Sequence, residues 1–313
     1  MAHVRTRVPG TRRTFAVLAT ATVALVGLSG CFLHPSAQSA NGSFVAGASV
    51  ASQPASPRSL GFDPLTVVSS AVPSAVKAYI SAHGGHSAIE VADRATGAAL
   101  AINGDKTFQT ASIVKFDILA TRLYQHQQAG TTMSAHEKSL AFKMITASDN
   151  NAASALFAMD GSAKGLTTAN KVFGMEATHV ASAWGLTHTT PTDQIRLMST
   201  VMDPNGPINA TNQTYILTLM SQVEPDQRWG VPAAAIPDST NVYVKNGWDT
   251  MTAYGGLWGD NSIGRIVEPG HDWLVAVMSN YNRTDSAGHH LDGELATLAV
   301  GGLRLQAQLA GAR

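Results

Sequence analysis

The apolar positions of the chain change period along its length. From Pro64 to Gly85, "PLTVVSSAVPSAVKAYISAHGG" has helical spacing, read with an interruption near Pro73 and closed by the paired glycines. "SAIEVADRATGAALAING" then alternates on both sides of "ATG", the pattern of a β-hairpin. Helical spacing returns after "TASIVKFDIL", where Val114, Ile118, Leu119 and Leu123 share a face. Three or four further helices are expected between about Ser134 and Val223. The period shortens again in "NVYVKNGW", "SIGRIVE" and "DWLVAVMSN". These predict three strands rich in β-branched and aromatic residues, with "EPGH" as the turn between the last two. A final helix is expected over about 291–309. Strands at both ends with helices between them predict an α+β domain. Its parts are an antiparallel sheet with flanking helices and an all-helical subdomain.

Composition narrows the class. The 313 residues are 44% apolar and 13% charged, enough for one substantial core, and residues 61–313 read as a single globular unit. Formal net charge is zero, so no basic field points to nucleic acid and no acidic tail to a cationic partner. Residues 1–30 differ from the rest. Arg5, Arg7, Arg12 and Arg13 precede an apolar run from Phe15 to about Leu28 that ends in "LSGC". The run is short for a membrane span and suits a signal-peptide core. "LSGC" resembles a bacterial lipobox and "TRRTF" a twin-arginine export signal, which implies lipidation at Cys31 and a place on the cell membrane facing the cell wall. Residues 31–60, rich in Ser, Ala, Gly and Pro, are expected to form a flexible tether holding the domain roughly 30 Å from the membrane. Cys31 is the only cysteine, so no disulfide or thiolate chemistry is expected in the domain.

Three short motifs carry the candidate chemistry. Ser112 and Lys115 are three apart at a helix start, Ser148-Asp149-Asn150 lies between two helical segments, and Lys245-Asn246-Gly247 sits on a strand. Each alone also reads as an N-cap, a capping stretch or a solvated lysine. A second serine–lysine pair, Ser74 and Lys77, shows how weak the first motif is by itself, but no hairpin precedes it. Order and placement together point to an active site. Serine three residues before a lysine, then S-D-N, then K-[TS]-G on a strand is the signature of class A β-lactamases and penicillin-binding proteins. The chain resembles that family of serine hydrolases over about residues 60–310. Phe108 before the serine, the upstream "ADRATGAAL" hairpin and the later "TTP" also match.

The spacing has a chemical reason. Residues three apart share a helix face, so Lys115 can bring its amine to the Ser112 hydroxyl. A serine needs a base to become a good nucleophile. Making an ordinary lysine neutral at pH 7 costs about 4–5 kcal/mol, which burial and the charge of Lys245 would reduce. The resemblance implies that Ser112 is acylated and that Ser148 passes protons. It also implies that Asn150 binds Lys115 and the substrate amide, and that Lys245 attracts a substrate carboxylate. The oxyanion hole would be the N–H groups of Ser112 and Trp248, aided by the helix dipole, with Asn246 and Gly247 also binding substrate.

The pattern also departs from the family. The loop "FGMEATHVASAWGLTHTTP" has no E-x-x-L-N and so lacks the glutamate that activates the deacylating water. Glu176, His179 and His188 are the titratable residues there. Only 36 positions separate Ser112 from Ser148, and Asn246 replaces a hydroxyl residue. Arg228 or Arg265 is a candidate extra anchor for a substrate carboxylate. The histidines, including His289 and His290 at an expected helix start, show no metal-ligand spacing, so neither zinc nor another cofactor is expected. Trp229, Trp248, Trp258 and Trp273 read as core or pocket-wall residues.

The expected function is acyl-enzyme hydrolysis of a β-lactam amide. Alternatives are a D-Ala-D-Ala carboxypeptidase, penicillin-binding or esterase-like activity, or a non-catalytic cell-wall-binding lipoprotein. The expected partner is a small β-lactam or a D-alanyl peptide of peptidoglycan, with no nucleic acid, membrane contact only through the lipid, and a monomeric chain.

Overall fold

The computed structural model describes residues 70–311. The expected signal peptide, Cys31, the whole of the expected tether over 31–60 and residues 61–69 fall outside the described residues. Helix α1 (Ala71–Ala82) opens the described region, and Pro73 sits in its first turn, where a missing N–H leaves no helical bond unmade. Strands β1 (Ser87–Asp93) and β2 (Ala99–Ile102) form the expected hairpin. The short strand β3 (Phe108–Gln109) pairs with β4 (His188–Thr189). The closing strands are β5 (Asn241–Met251), β6 (Leu257–Glu268) and β7 (His271–Asn282). They complete an antiparallel sheet in the order β2-β1-β7-β6-β5, which leaves β5 at an edge.

Helix α2 (Val114–Gln128) is followed by α3 (Ala135–Thr146), α4 (Asn150–Met159), α5 (Ser162–Val172), α6 (Pro191–Met202) and α7 (Ala210–Ser221). Five helices therefore lie between α2 and β5, more than the sequence pattern separated. Only Asp160 and Gly161 divide α4 from α5, and Gly161 takes a left-handed φ of 88° to turn the chain. The starts are marked chemically: Ser134 and Glu137 form a capping box, and Asp149, Thr190 and Asn209 accept N-cap bonds.

Helix α8 (Asp285–Gly311) packs on the sheet and begins six residues before its expected start. Its first turns are polar, and Gly288 lets them approach the Asp260 carboxylate, which an added Cβ would overlap. Strand β6 likewise starts earlier than its apolar pattern. Asp260, Asn261 and Ser262 are polar yet fully buried, because they face the helix starts rather than solvent. The core between sheet and helices includes Phe108, Phe116, Phe173 and Trp273, all inaccessible to solvent. Full burial of such side chains contributes about 1.5–3 kcal/mol each. This packing holds the start of α2 against β5.

Candidate active site

A single turn, Ala111–Ile113, leads into α2, and Ser112 lies at its centre. The positions flanking the turn and the helix are Thr110 and Ile113, so Ser112 is not an N-cap. Ala111 holds a left-handed φ of 44°, rare for a residue with a Cβ. Lys115, one turn on, is wholly buried. The pair Ser74 and Lys77, by contrast, is exposed on α1.

Lys115 Nζ is the hub. It lies 2.8 Å from Ser112 Oγ, 2.6 Å from the Ser148 carbonyl, 3.0 Å from Ser148 Oγ and 2.7 Å from Asn150 Oδ1. Ser148 presents both oxygens because its φ of 53° turns the backbone just before Asp149 caps α4. From the sheet, Lys245 Nζ reaches Ser148 Oγ at 3.0 Å and donates to the Asn246 carbonyl at 2.6 Å. Ser112, Lys115, Ser148, Asn150 and Lys245 thus converge from α2, the α3–α4 turn, α4 and β5.

The electrostatics favour a neutral amine. Burial pulls the Lys115 ammonium down to about 7, with Asp149 acting in the opposite direction. Burial, then the charge of Lys115, holds Lys245 well below the usual lysine range. Hydrogen-bond capacity agrees. The Ser148 carbonyl and Asn150 Oδ1 can only accept, and a neutral amine has two hydrogens for them. Its lone pair is then left for the Ser112 O–H.

Gly247 fixes how closely strand and nucleophile meet. An added Cβ would stand 2.5 Å from Ser112 N, 2.6 Å from Ile113 N and 2.8 Å from the Thr110 carbonyl. The backbone of Gly247 and Trp248 therefore lies beside the Ser112 turn with no room for a side chain. Asn261, which belongs to no motif, ties β6 to this turn by donating from Nδ2 to Gln109 O (2.9 Å) and Thr110 O (3.2 Å).

Asn246 departs from expectation. Neighbouring residues on a strand point to opposite faces, and Asn246 is fully buried away from the amine cluster. Its Nδ2 donates to the carbonyls of Gln227 and Trp229, at 2.7 and 3.0 Å. It anchors a loop and has no N–H left for a substrate carboxylate. The two arginines differ: Arg228 is half-buried and lines a cavity with Trp229 and His289, whereas Arg265 is tied up. Arg265 is held by both oxygens of Asp272, and Arg228 donates to the carbonyls of Ser221 and Val242.

The loop between α5 and α6 supplies no carboxylate to the cluster. Glu176 is exposed, with Arg196 3.8 Å away. His179 and His188 are exposed and bond to each other through their backbones. What the loop brings instead is Trp184, another residue without a sequence signal. Its ring centre lies 5.0 Å from Lys115 Nζ, and its Nε1 donates to Ser154 Oγ at 3.1 Å. Trp184, Leu186, Phe157 and Asp249 line a cavity of about 420 Å³ beside the cluster. On the other side, His289 stacks on Trp229 with centres 3.8 Å apart, and both rings meet Trp248 edge-on. His289 and His290 lie beyond the first turn of α8, not at its start. Trp258 is half-buried, Trp273 is in the core. Among the described residues, no group of three His, Cys, Asp or Glu side chains is arranged to hold a metal ion, and no helix is long and apolar enough to cross a membrane.

Known structures share this architecture. PBP-A is 20% identical with a TM-score of 0.65, over 77% of this chain and 97% of that one. A variant of PBP-A, solved as an acyl-enzyme complex with penicillin G, is 18% identical with the same TM-score, over 75% and 97% of the two chains. The β-lactamase from Sphaerobacter thermophilus is 20% identical with a TM-score of 0.62, over 75% and 98%. At these identities the likeness is one of fold. No curated protein matches the chain. The model of the beta-lactamase enzyme family matches residues 71–138 and 121–302, which spans most of the sequence. The chain belongs to the beta-lactamase enzyme family and is a serine hydrolase.

Proposed function

We propose that the chain is an exported serine hydrolase that opens β-lactam amides through an acyl-enzyme at Ser112. The observation that carries this reading is the 2.8 Å approach of a buried Lys115 amine, pulled down to about 7, to the Ser112 hydroxyl. Ser112 Oγ attacks the amide carbon and its proton passes to Lys115. The N–H groups of Ser112 and Trp248 hold the developing oxyanion. Ser148, between the two lysine amines, hands a proton to the leaving nitrogen, and Asn150 keeps Lys115 aimed. Residues 1–30 export the chain and lipidation of Cys31 anchors it facing the cell wall, where a monomer would meet a β-lactam or a D-alanyl peptide.

Water must next attack the ester. Glu176, His179 and His188 are exposed and make no contact with the amine cluster, so Lys115 itself is the nearest base. Trp184 over its amine limits the space for water. Acylation is therefore expected to outrun deacylation. This favours a second reading, penicillin-binding or D-alanyl carboxypeptidase-like behaviour. The likeness in fold to PBP-A, a variant of which was solved with penicillin G attached, agrees with it.

The test is an intact-mass time course of the purified protein with penicillin G, beside Ser112→Ala. A persistent adduct absent from the variant supports slow clearance. Drug consumed without a detectable adduct supports full hydrolysis. A folded protein with neither adduct nor drug loss overturns the acyl-enzyme reading.

A further inference from the structure

The direction in which an acyl donor crosses the site follows from the proton donor, so this inference rests on acylation at Ser112. Ser148 Oγ, held by both lysine amines, marks the side where the leaving nitrogen collects its proton. With the carbonyl oxygen at the Ser112 and Trp248 N–H groups, the acyl group extends the other way, along β5 beyond Gly247. There it meets the cavity of about 420 Å³, whose walls include Phe157, Trp184 and Leu186. Among the described residues that line this cavity, Asp249 alone carries a charge.

Strand geometry puts Asp249 on the reactive face. β5 pairs with β6 residue for residue from Asn241 to Met251, so its side chains alternate without interruption. Lys245, Gly247 and Asp249 therefore share the face turned toward Ser112. Asn246 and Trp248 point the other way, Asn246 into its loop and Trp248 onto Trp229 and His289. Two residues of strand cover roughly 7 Å, which sets Asp249 that far along from the contact of Gly247 with the Ser112 turn. Asp249 is exposed, and among the described residues its side chain has no ion-pair or hydrogen-bond partner. The two lysines on this face are buried, held below the usual lysine range and bonded to Ser148. An ammonium entering the cavity thus meets an unpaired carboxylate and the electron-rich ring of Trp184, and both attract it.

We propose that Asp249 selects acyl donors that carry a positive charge on the acyl group, with an apolar or aromatic part against Trp184 and Leu186. The substrate class is an aminoacyl amide or ester with a free amine, such as a D-phenylglycyl β-lactam. In the step itself, the Ser112 O–H is replaced by an ester to the acyl carbon. The bond from that carbon to its nitrogen or oxygen breaks, and the leaving atom takes up the proton while the ammonium keeps its own.

Ampicillin and penicillin G share ring, carboxylate and phenyl group and differ in an α-amine on the acyl group, which is mostly charged at about pH 6.5. Second-order acylation rates, read from adduct mass and drug loss together, give the ratio of ampicillin to penicillin G. Taking this ratio in the native chain and in Asp249→Asn cancels the intrinsic reactivity of each drug. The native ratio is expected to exceed the variant's by about threefold at low salt, and the excess to shrink toward one at about 0.5 M salt. Equal ratios, or a higher ratio in the variant, overturn the proposal. A difference that salt leaves untouched is one of shape rather than charge and also overturns it. If neither drug reacts and 4-nitrophenyl phenylacetate also fails to label Ser112, acylation at Ser112 fails and this inference falls with it. If the phenylacetate alone labels Ser112, acylation stands, and the same ratio taken with the 4-nitrophenyl esters of D-phenylglycine and phenylacetic acid decides the charge preference.

Discussion

Helix α2 carries two buried ionisable groups two residues apart, and they are treated in opposite ways. Lys115 has four oxygen neighbours within 3.0 Å. Asp117, on another face, has only a long 3.4 Å contact from Thr121 on one oxygen and none on the other. Asp160, also buried, has no hydrogen bond to either carboxylate oxygen, with Arg122 3.9 Å away, and the Asn170 side chain makes no ordinary hydrogen bond although it faces Asp117. Burial pushes Asp117 up to about 7 and Asp160 up to about 8. The amine is surrounded by groups that direct its lone pair, whereas the carboxyls meet burial by keeping their protons. Burial alone shifts an ionisation; only the arrangement of partners turns that shift into a directed base.

The largest expected break in this contrast is Lys115→Ala. Without the amine, acylation by penicillin G or a neutral ester should fall by about 10²–10⁴, read as adduct formation by intact mass. An unaltered rate would move the base elsewhere. Gly247→Ala comes next. Its new methyl group must displace the Ser112 and Ile113 backbone N–H groups, so acylation should drop by about 10²–10³, the loss typical of a damaged oxyanion hole. Circular dichroism should show the fold retained.

A pH profile sharpens the same comparison with a smaller effect. Lys115 acts when neutral, so acylation should climb about tenfold between pH 6 and 8, about fivefold of it below pH 7, and level off above pH 8. A flat profile would sink the neutral-amine base.

The carboxyl side predicts a change in stability. The folded-state value of Asp160, about 8, lies above its unfolded value of 3.8, so the folded protein holds the extra proton between them. This group's contribution is fully present below about pH 4 and is lost as pH rises through 8. Asp160→Asn should therefore alter urea unfolding little near pH 4 and raise its midpoint near pH 9. A lowered midpoint at pH 9 would mean that the carboxylate, once charged, is paired with Arg122 after all.

What the sequence made legible follows from distance along the chain. Ser112 and Lys115 are one helical turn apart, so covalent geometry brings them together. Ser148 and Lys245 were recognisable because their neighbours form motifs in a fixed order. Asn246 was misjudged because the motif ignores strand alternation, which sends it to the face opposite Lys245. Asn261 acts across 152 positions and Trp184 approaches Lys115 from another loop, and neither contact leaves a local trace. The early part of β6 was hidden for a related reason: Asp260, Asn261 and Ser262 are buried by polar partners rather than by apolar pattern.

The close approach at Gly247 also bears on the order of assembly. Ser112 sits in the turn that leads directly into the helix of Lys115, and such local structure can form within microseconds, but the strand that confines the Ser112 turn comes from a sequence position far downstream. Such distant pairing is slow in folding chains. During refolding, helical signal should therefore recover before the ability to react with an acyl donor. A half-folded chain would carry both residues in helical register and still be chemically idle.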